Sequence, residues 1–188
     1  VDFISGWGAL ILGHRHPSVE RAIARTLTSD WLLGLTHPAE IELARRIADA
    51  VPSAERVRFT VSGTEACMTA VKLSRAHTGR TKILVFAGCY HGHGDSLMAG
   101  HTAGLPASIA AETLTVPYND MKALEEAFLR AGRELACAIV EPVAANMGVV
   151  PPAKGFLERL RTLAARHGAV LIFDEVVTGF RLGPGGAQ

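Results

Sequence analysis

Between residues 56 and 174, short and continuously apolar runs alternate with longer stretches whose apolar residues recur at helical spacing. The short runs predict strands at "RVRFTV" (56–61), "KILVF" (82–86), "ETLTV" (112–116), "LACAIVE" (135–141) and "AVLIFD" (169–174). Between them helices are expected over 64–77, 120–131 and 155–167. The last carries Phe156, Leu157, Leu160, Leu163 and Ala164 on one side. Upstream, "PSVERAIARTLTS" (17–29) predicts a helix opened by Pro17. The next, over 38–51, repeats Ile41, Ala44, Ile47, Ala48 and Val51 as one buried stripe and is ended by Pro52 and Ser53. Apolar strands separated by helices predict an α/β fold with three layers, a mostly parallel sheet and helices on both faces. An N-terminal helical segment over 1–55 is expected to lead into a large domain over 56–188. In such sheets ligands sit outside the carboxyl ends of the strands, so the strand-end loops should carry the chemistry.

Composition narrows the partners. The 188 residues are 48% apolar and 20% charged, with a formal net charge of +1 and no basic block. Nucleic acid is therefore not an expected partner. No apolar run reaches membrane-spanning length, so no membrane partner is expected, and the opening "VDFISGWGAL" lacks the pattern of a secretory leader. Cys67, Cys89 and Cys137 form neither an even framework nor a CxxC pair, which points to a reducing, cytoplasmic setting. The start without methionine and the glycine-rich end "LGPGGAQ" suggest a piece of a longer chain.

Four strand-end loops carry distinct polar groups. In "SGTEA", Ser62, Gly63 and Thr64 lie where a strand is expected to turn into a helix. Unpaired first-turn amides and two hydroxyls there suit a phosphate, and a simple helix N-cap explains the same residues. In "FDEVVTG", Asp174 and Glu175 close a strand. A magnesium–nucleotide reading would need a GxxxxGK[ST] loop, which is absent. An acid there could instead pair with a protonated cofactor nitrogen, or simply be solvated. In "VEPVAANMG", Glu141, Pro142 and Asn146 follow a strand, and Asn146 could bond a phenolic oxygen or tighten a turn. The fourth loop, "AGCYHGHGDS", offers Cys89, His91, His93 and Asp95 as metal ligands, with both histidines expected to point the same way. Tyr90 among glycines, stacked on a planar cofactor, explains more of that loop than a metal does, and no metal is expected.

Taken together, "WGALILGHRHPSVERAI", "RFTVSGTEACMTAVKLSRAHTGRTKI", "GCYHGHGDS", "TLTVPYND", "AIVEPVAANMG" and "VLIFDEVVTGFRLGPGGAQ" resemble the class III aminotransferases, in family order and over nearly the whole chain. The branch most like it is that of glutamate-1-semialdehyde 2,1-aminomutase and its relatives. The resemblance implies a pyridoxal 5'-phosphate enzyme of the aspartate-aminotransferase fold, working as a homodimer on a small-molecule amino donor and acceptor. It implies that Ser62, Gly63 and Thr64 bind the cofactor phosphate. Tyr90 would stack on its ring, Asp174 would pair with the ring nitrogen, and Val176 would cover the other face. Asn146 falls near the ring hydroxyl, and Trp7 matches a residue lining the substrate pocket.

Two departures qualify that picture. The family's Schiff-base lysine lies further beyond the ring-nitrogen Asp than the fourteen residues that follow Asp174 here. None of Lys72, Lys82, Lys122 and Lys154 stands in a comparable place. The catalytic lysine is therefore expected beyond Gln188, together with the small C-terminal domain, and the chain alone is expected to be inactive. Second, the segment between Asp95 and Thr113 is shorter than the aminomutase gating loop. Aminomutation must retain its intermediate whereas transamination releases product, so the shorter loop favours an aminotransferase acting on an amino acid or small amine. An aminomutase and a non-catalytic cofactor-binding or dimerisation partner are the alternatives.

Overall fold

The computed structural model describes residues 1–29, 34–98 and 103–188. They form two compact units, Val1–Arg58 and Phe59–Gln188. The first holds α1 (Pro17–Leu27) and α2 (Pro38–Ala50), each with proline in its first turn. Neither helix has a fully buried residue. The stripe expected on α2 is only half-covered: Ala44, Ile47, Ala48 and Val51 are half-buried and Ile41 is exposed. The periodicity that the sequence shows is real, and burial of the stripe is not.

The second unit is the α/β body. Its strands are β1 (Lys82–Ala87), β2 (Thr113–Pro117), β3 (Leu135–Val140) and β4 (Val170–Phe173). All pair in parallel, in the order β2-β1-β3-β4. The helices are α3 (Gly63–Thr78), the single turn α4 (Ala107–Ala110), α5 (Met121–Ala131) and α6 (Phe156–His167). Side chains alternate across the strands, so each face has its own core. Leu84, Phe86, Ala138 and Val140 meet Leu124 and Phe128 of α5 and Phe156 and Leu160 of α6. Ile83, Val85, Cys137 and Ile139 meet Cys67 and Val71 of α3 on the opposite face. Every residue of β3 is buried, as a central parallel strand requires. The three-layer α/β architecture is as the pattern predicts.

One expected strand is missing. Residues 56–61 form none, and Val61 is 94% exposed. A strand needs a neighbour for its backbone groups, and this segment pairs with neither edge of the sheet. Among the described residues no helix is long and apolar enough to cross a membrane.

The strand order also locates the site. From β1 the chain crosses to β2 on one side, whereas from β3 it crosses to β4 on the other. The connections therefore diverge between β1 and β3, which opens a crevice at their carboxyl ends.

Candidate functional site

Three loops meet at that end of the sheet: 88–94 after β1, 141–150 after β3 and 174–179 after β4. Asp174 follows β4 directly, and its N–H donates to the Val140 carbonyl at 2.8 Å, which fixes the loop root to β3. The side chain is buried and held by three partners. His91 Nδ1 lies 2.7 Å from Oδ2, the Cys67 thiol donates to the same oxygen at 3.4 Å, and the Val176 N–H donates to Oδ1 at 3.0 Å. Burial pushes the Asp174 pKa up. The bonds from His91, Val176 and Cys67 outweigh that, and the net shift is below the ordinary value of 3.8. Asp174 is thus a buried carboxylate with acceptor capacity left on Oδ1. Burial and the facing Asp174 raise the Cys67 pKa to about 12, so its sulfur keeps the proton it donates.

The loop after β1 does not assemble a metal site. His91 is buried against Asp174, but His93 is exposed. The expectation that they point the same way fails because Gly92 adopts φ +95°, which breaks the extended run between them. Burial raises the Cys89 thiol to about 11, and Asp95 opens a 3-10 turn at the surface. Among the described residues no three His, Cys, Asp or Glu side chains could together hold a metal ion. His91 Nε2 is buried and has no hydrogen-bond partner among the described residues.

Ser62 is the N-cap of α3, its hydroxyl accepting the Glu65 N–H at 3.2 Å. The Glu65 carboxyl reaches back to the Val61 N–H at 3.1 Å, completing a capping box one residue out of register. The N-cap reading is therefore realised. The first-turn amides of Gly63 and Thr64 still have no intrahelical acceptor, and the helix start carries positive partial charge. Close packing ties this turn to the other loops. A Cβ on Gly63 would come within 2.9 Å of a Val176 methyl, and one on Gly92 within 2.6 Å of the Thr64 Cα. The His93 N–H donates to the Thr64 hydroxyl oxygen at 3.2 Å. Asn146 Nδ2 donates to the Gly88 carbonyl at 3.1 Å, and Tyr90 stands 54% exposed above the same seam.

Ser62, Gly63, Thr64, Tyr90, Asn146, Asp174 and Val176 thus lie on loops joined by direct contacts. Trp7 belongs to the Val1–Arg58 unit, where it is 93% exposed. Sequence reasoning gave no role to Cys67, a helix residue with nothing local to mark it as a partner of Asp174. Lys72 on α3 and Lys154 ahead of α6 are exposed. Lys82 opens β1 at the far end of the sheet, ion-paired to Glu134 at 2.6 Å, and Lys122 pairs with Glu126 on α5.

A family model for class-III aminotransferases matches residues 1–187. The chain belongs to the class III aminotransferases. It is 54% identical to a glutamate-1-semialdehyde 2,1-aminomutase of Thermomicrobium roseum, with all of the chain and 46% of that protein covered. Among solved structures it matches a transaminase with PLP bound, at 37% identity and a TM-score of 0.95, over all of the chain and 46% of that structure. A glutamate-1-semialdehyde aminomutase from Pseudomonas aeruginosa matches at 32% identity and a TM-score of 0.84, over 99% and 43%. The chain spans just under half the length of the relatives it matches.

Proposed function

We propose that the protein carrying this chain moves amino groups with pyridoxal 5'-phosphate, and that the loops after β1, β3 and β4 and the start of α3 hold it. The single observation that carries this reading is Asp174, a buried carboxylate kept ionised at the carboxyl end of the sheet. Such a group suits a cationic ring nitrogen, and a charge-assisted bond of that kind contributes about 1.5–3 kcal/mol. The cofactor, when bound, supplies an electron sink at the substrate carbon.

The chain's own residues would do the holding. Asp174 would keep a proton on the ring nitrogen, with His91 and Cys67 fixing its carboxylate. Gly63, Thr64 and the start of α3 would take the phosphate, because a dianion meets unpaired amides and the positive helix end there. Ser62, as the N-cap, would hold that turn in shape. Tyr90 and Val176 would enclose the ring, and Asn146 would face its hydroxyl. Gly63 and Gly92 support this by letting the start of α3 pack directly against Val176 and the loop after β1, which keeps these groups together. Trp7 is retained as a substrate-pocket residue of the complete protein.

The lysine that would hold the cofactor is proposed to lie outside this chain, so 1–188 alone binds or supports cofactor without turnover. The complete protein is proposed to be a cytoplasmic homodimer, organised as the helical segment 1–55 and the large domain 56–188 with a small domain following. Its partners would be a small amino donor and acceptor, with no nucleic acid or membrane involved.

Two reactions fit this site. The short segment between Asp95 and Thr113 favours transamination of an amino acid or small amine; its residues 99–102 lie outside the described ones. The alignment to the T. roseum aminomutase runs over 199 positions, more than the chain's 188 residues, so that relative carries residues missing here. Aminomutation is favoured by the 50–54% identity to curated aminomutases, whereas the solved structures lean the other way, with 37% identity to the PLP-bound transaminase and 32% to the P. aeruginosa aminomutase. Assays of the complete protein with and without an added keto acid decide between them. A strict requirement for the keto acid means transamination, and turnover of glutamate-1-semialdehyde without it means aminomutation. No PLP uptake on spectroscopic titration would sink both.

A further inference from the structure

Glu141 directly follows β3 at the crevice and is only 5% exposed, and its carboxyl group is met by backbone amides. Oε1 accepts the Tyr90 N–H at 2.7 Å, from the loop after β1. Oε2 accepts the Ala145 N–H at 2.6 Å, with the Asn146 N–H at 3.5 Å, from the loop after β3. One side chain therefore bridges the two walls of the crevice. Two other contacts close the same seam. Asn146 Nδ2 bonds the Gly88 carbonyl, and a Cβ on Gly88 would overlap the Met147 sulfur and sit 3.2 Å from the Met147 Cβ. Gly88, at φ +90°, lets the loops approach that closely.

We infer that Glu141 is a positioning residue, a clamp that sets Tyr90 and Asn146 at a fixed separation before any ligand arrives. This rests on the cofactor reading given above. The clamp needs two acceptor oxygens, because N–H groups face it from both loops. A glutamine could satisfy only one loop, since its amide nitrogen would meet an N–H on the other. Pre-setting both walls removes an ordering cost that binding would otherwise carry.

Two measurements on the complete protein test the inference. The first is amide hydrogen exchange in the cofactor-free wild type, where the Tyr90 and Ala145 amides are expected to exchange slowly. Rapid exchange at both would overturn the clamp, and this result stands whether or not any variant folds. The second is spectroscopic PLP titration of Glu141→Gln in two backgrounds. The substitution is expected to weaken affinity about tenfold or more in the wild type. It should weaken affinity about twofold or less in Tyr90→Ala/Asn146→Ala, where nothing remains to be positioned. Equal penalties in both backgrounds, or wild-type affinity in Glu141→Gln, would overturn the inference alone. A wild type that takes up no PLP would overturn the cofactor reading and this inference together.

Discussion

The two ends of the parallel sheet use polar residues in opposite ways. At the amino end, Arg80 Nη1 donates to the carbonyls of Leu135, His167 and Gly168, tying β3 to the end of α6. Beside it Arg75 donates to the Thr81 carbonyl, and Lys82 pairs with Glu134. These groups serve one another. At the carboxyl end the polar groups converge instead on loops that glycines let pack closely together. Asp174 holds its charge under burial, His91 Nε2 lacks a partner among the described residues, and the Gly63 and Thr64 amides at the start of α3 have no intrahelical acceptor. Charge that is mutually satisfied holds a fold together, whereas charge held ready against burial marks a binding site.

Substitutions at the two ends should therefore separate activity from stability. Asp174→Asn in the complete protein should lower turnover by at least about a hundredfold, because the charge that holds the ring proton is lost. The fold should survive, and turnover close to wild type would erase the distinction between the ends. Arg80→Ala should do the reverse, costing about 1.5–3 kcal/mol in urea denaturation with PLP affinity unchanged. Gly92→Ala forces φ +95° on a residue with a Cβ and drives that Cβ into Thr64. It should cost about 1–3 kcal/mol and weaken PLP binding, which a titration on the folded variant would read.

Acid sharpens the contrast further. The Asp174 pKa is lowered on folding, so its contribution is complete above the ordinary value of 3.8 and is lost as pH falls below it toward the folded value. Asp174→Asn should flatten the stability profile in that acid window, as followed by denaturation at stepped pH. The smallest effect belongs to Lys82→Met. Its ion pair is partly exposed, so a loss of about 1 kcal/mol or less and unchanged cofactor attachment are expected, checked by denaturation and absorbance.

Much of this contrast was legible in the sequence. β1, β3 and β4 announce themselves as apolar runs, and the parallel-sheet rule points from them to the loops with Tyr90, Asn146 and Asp174. What the pattern lacks is long-range pairing. His91 and Asp174 are 83 residues apart and Tyr90 and Glu141 are 51 apart, so neither bond leaves a local trace. Glu141 stood out as a strand-end acid, but its service to two loops appears only when β1 and β3 lie side by side. Residues 56–61 show the converse failure. Their composition suits a strand, and without a paired neighbour the segment forms none. The α2 stripe likewise signals an amphipathic helix without saying whether anything covers it.

The most direct measurement is the nitrogen-15 NMR shift of PLP labelled at its ring nitrogen, bound to the complete wild-type protein and to Asp174→Asn. At neutral pH the ring nitrogen should be protonated in the wild type and unprotonated in the variant. An unprotonated nitrogen in the wild type, or the same shift in both proteins, would contradict the role assigned to Asp174.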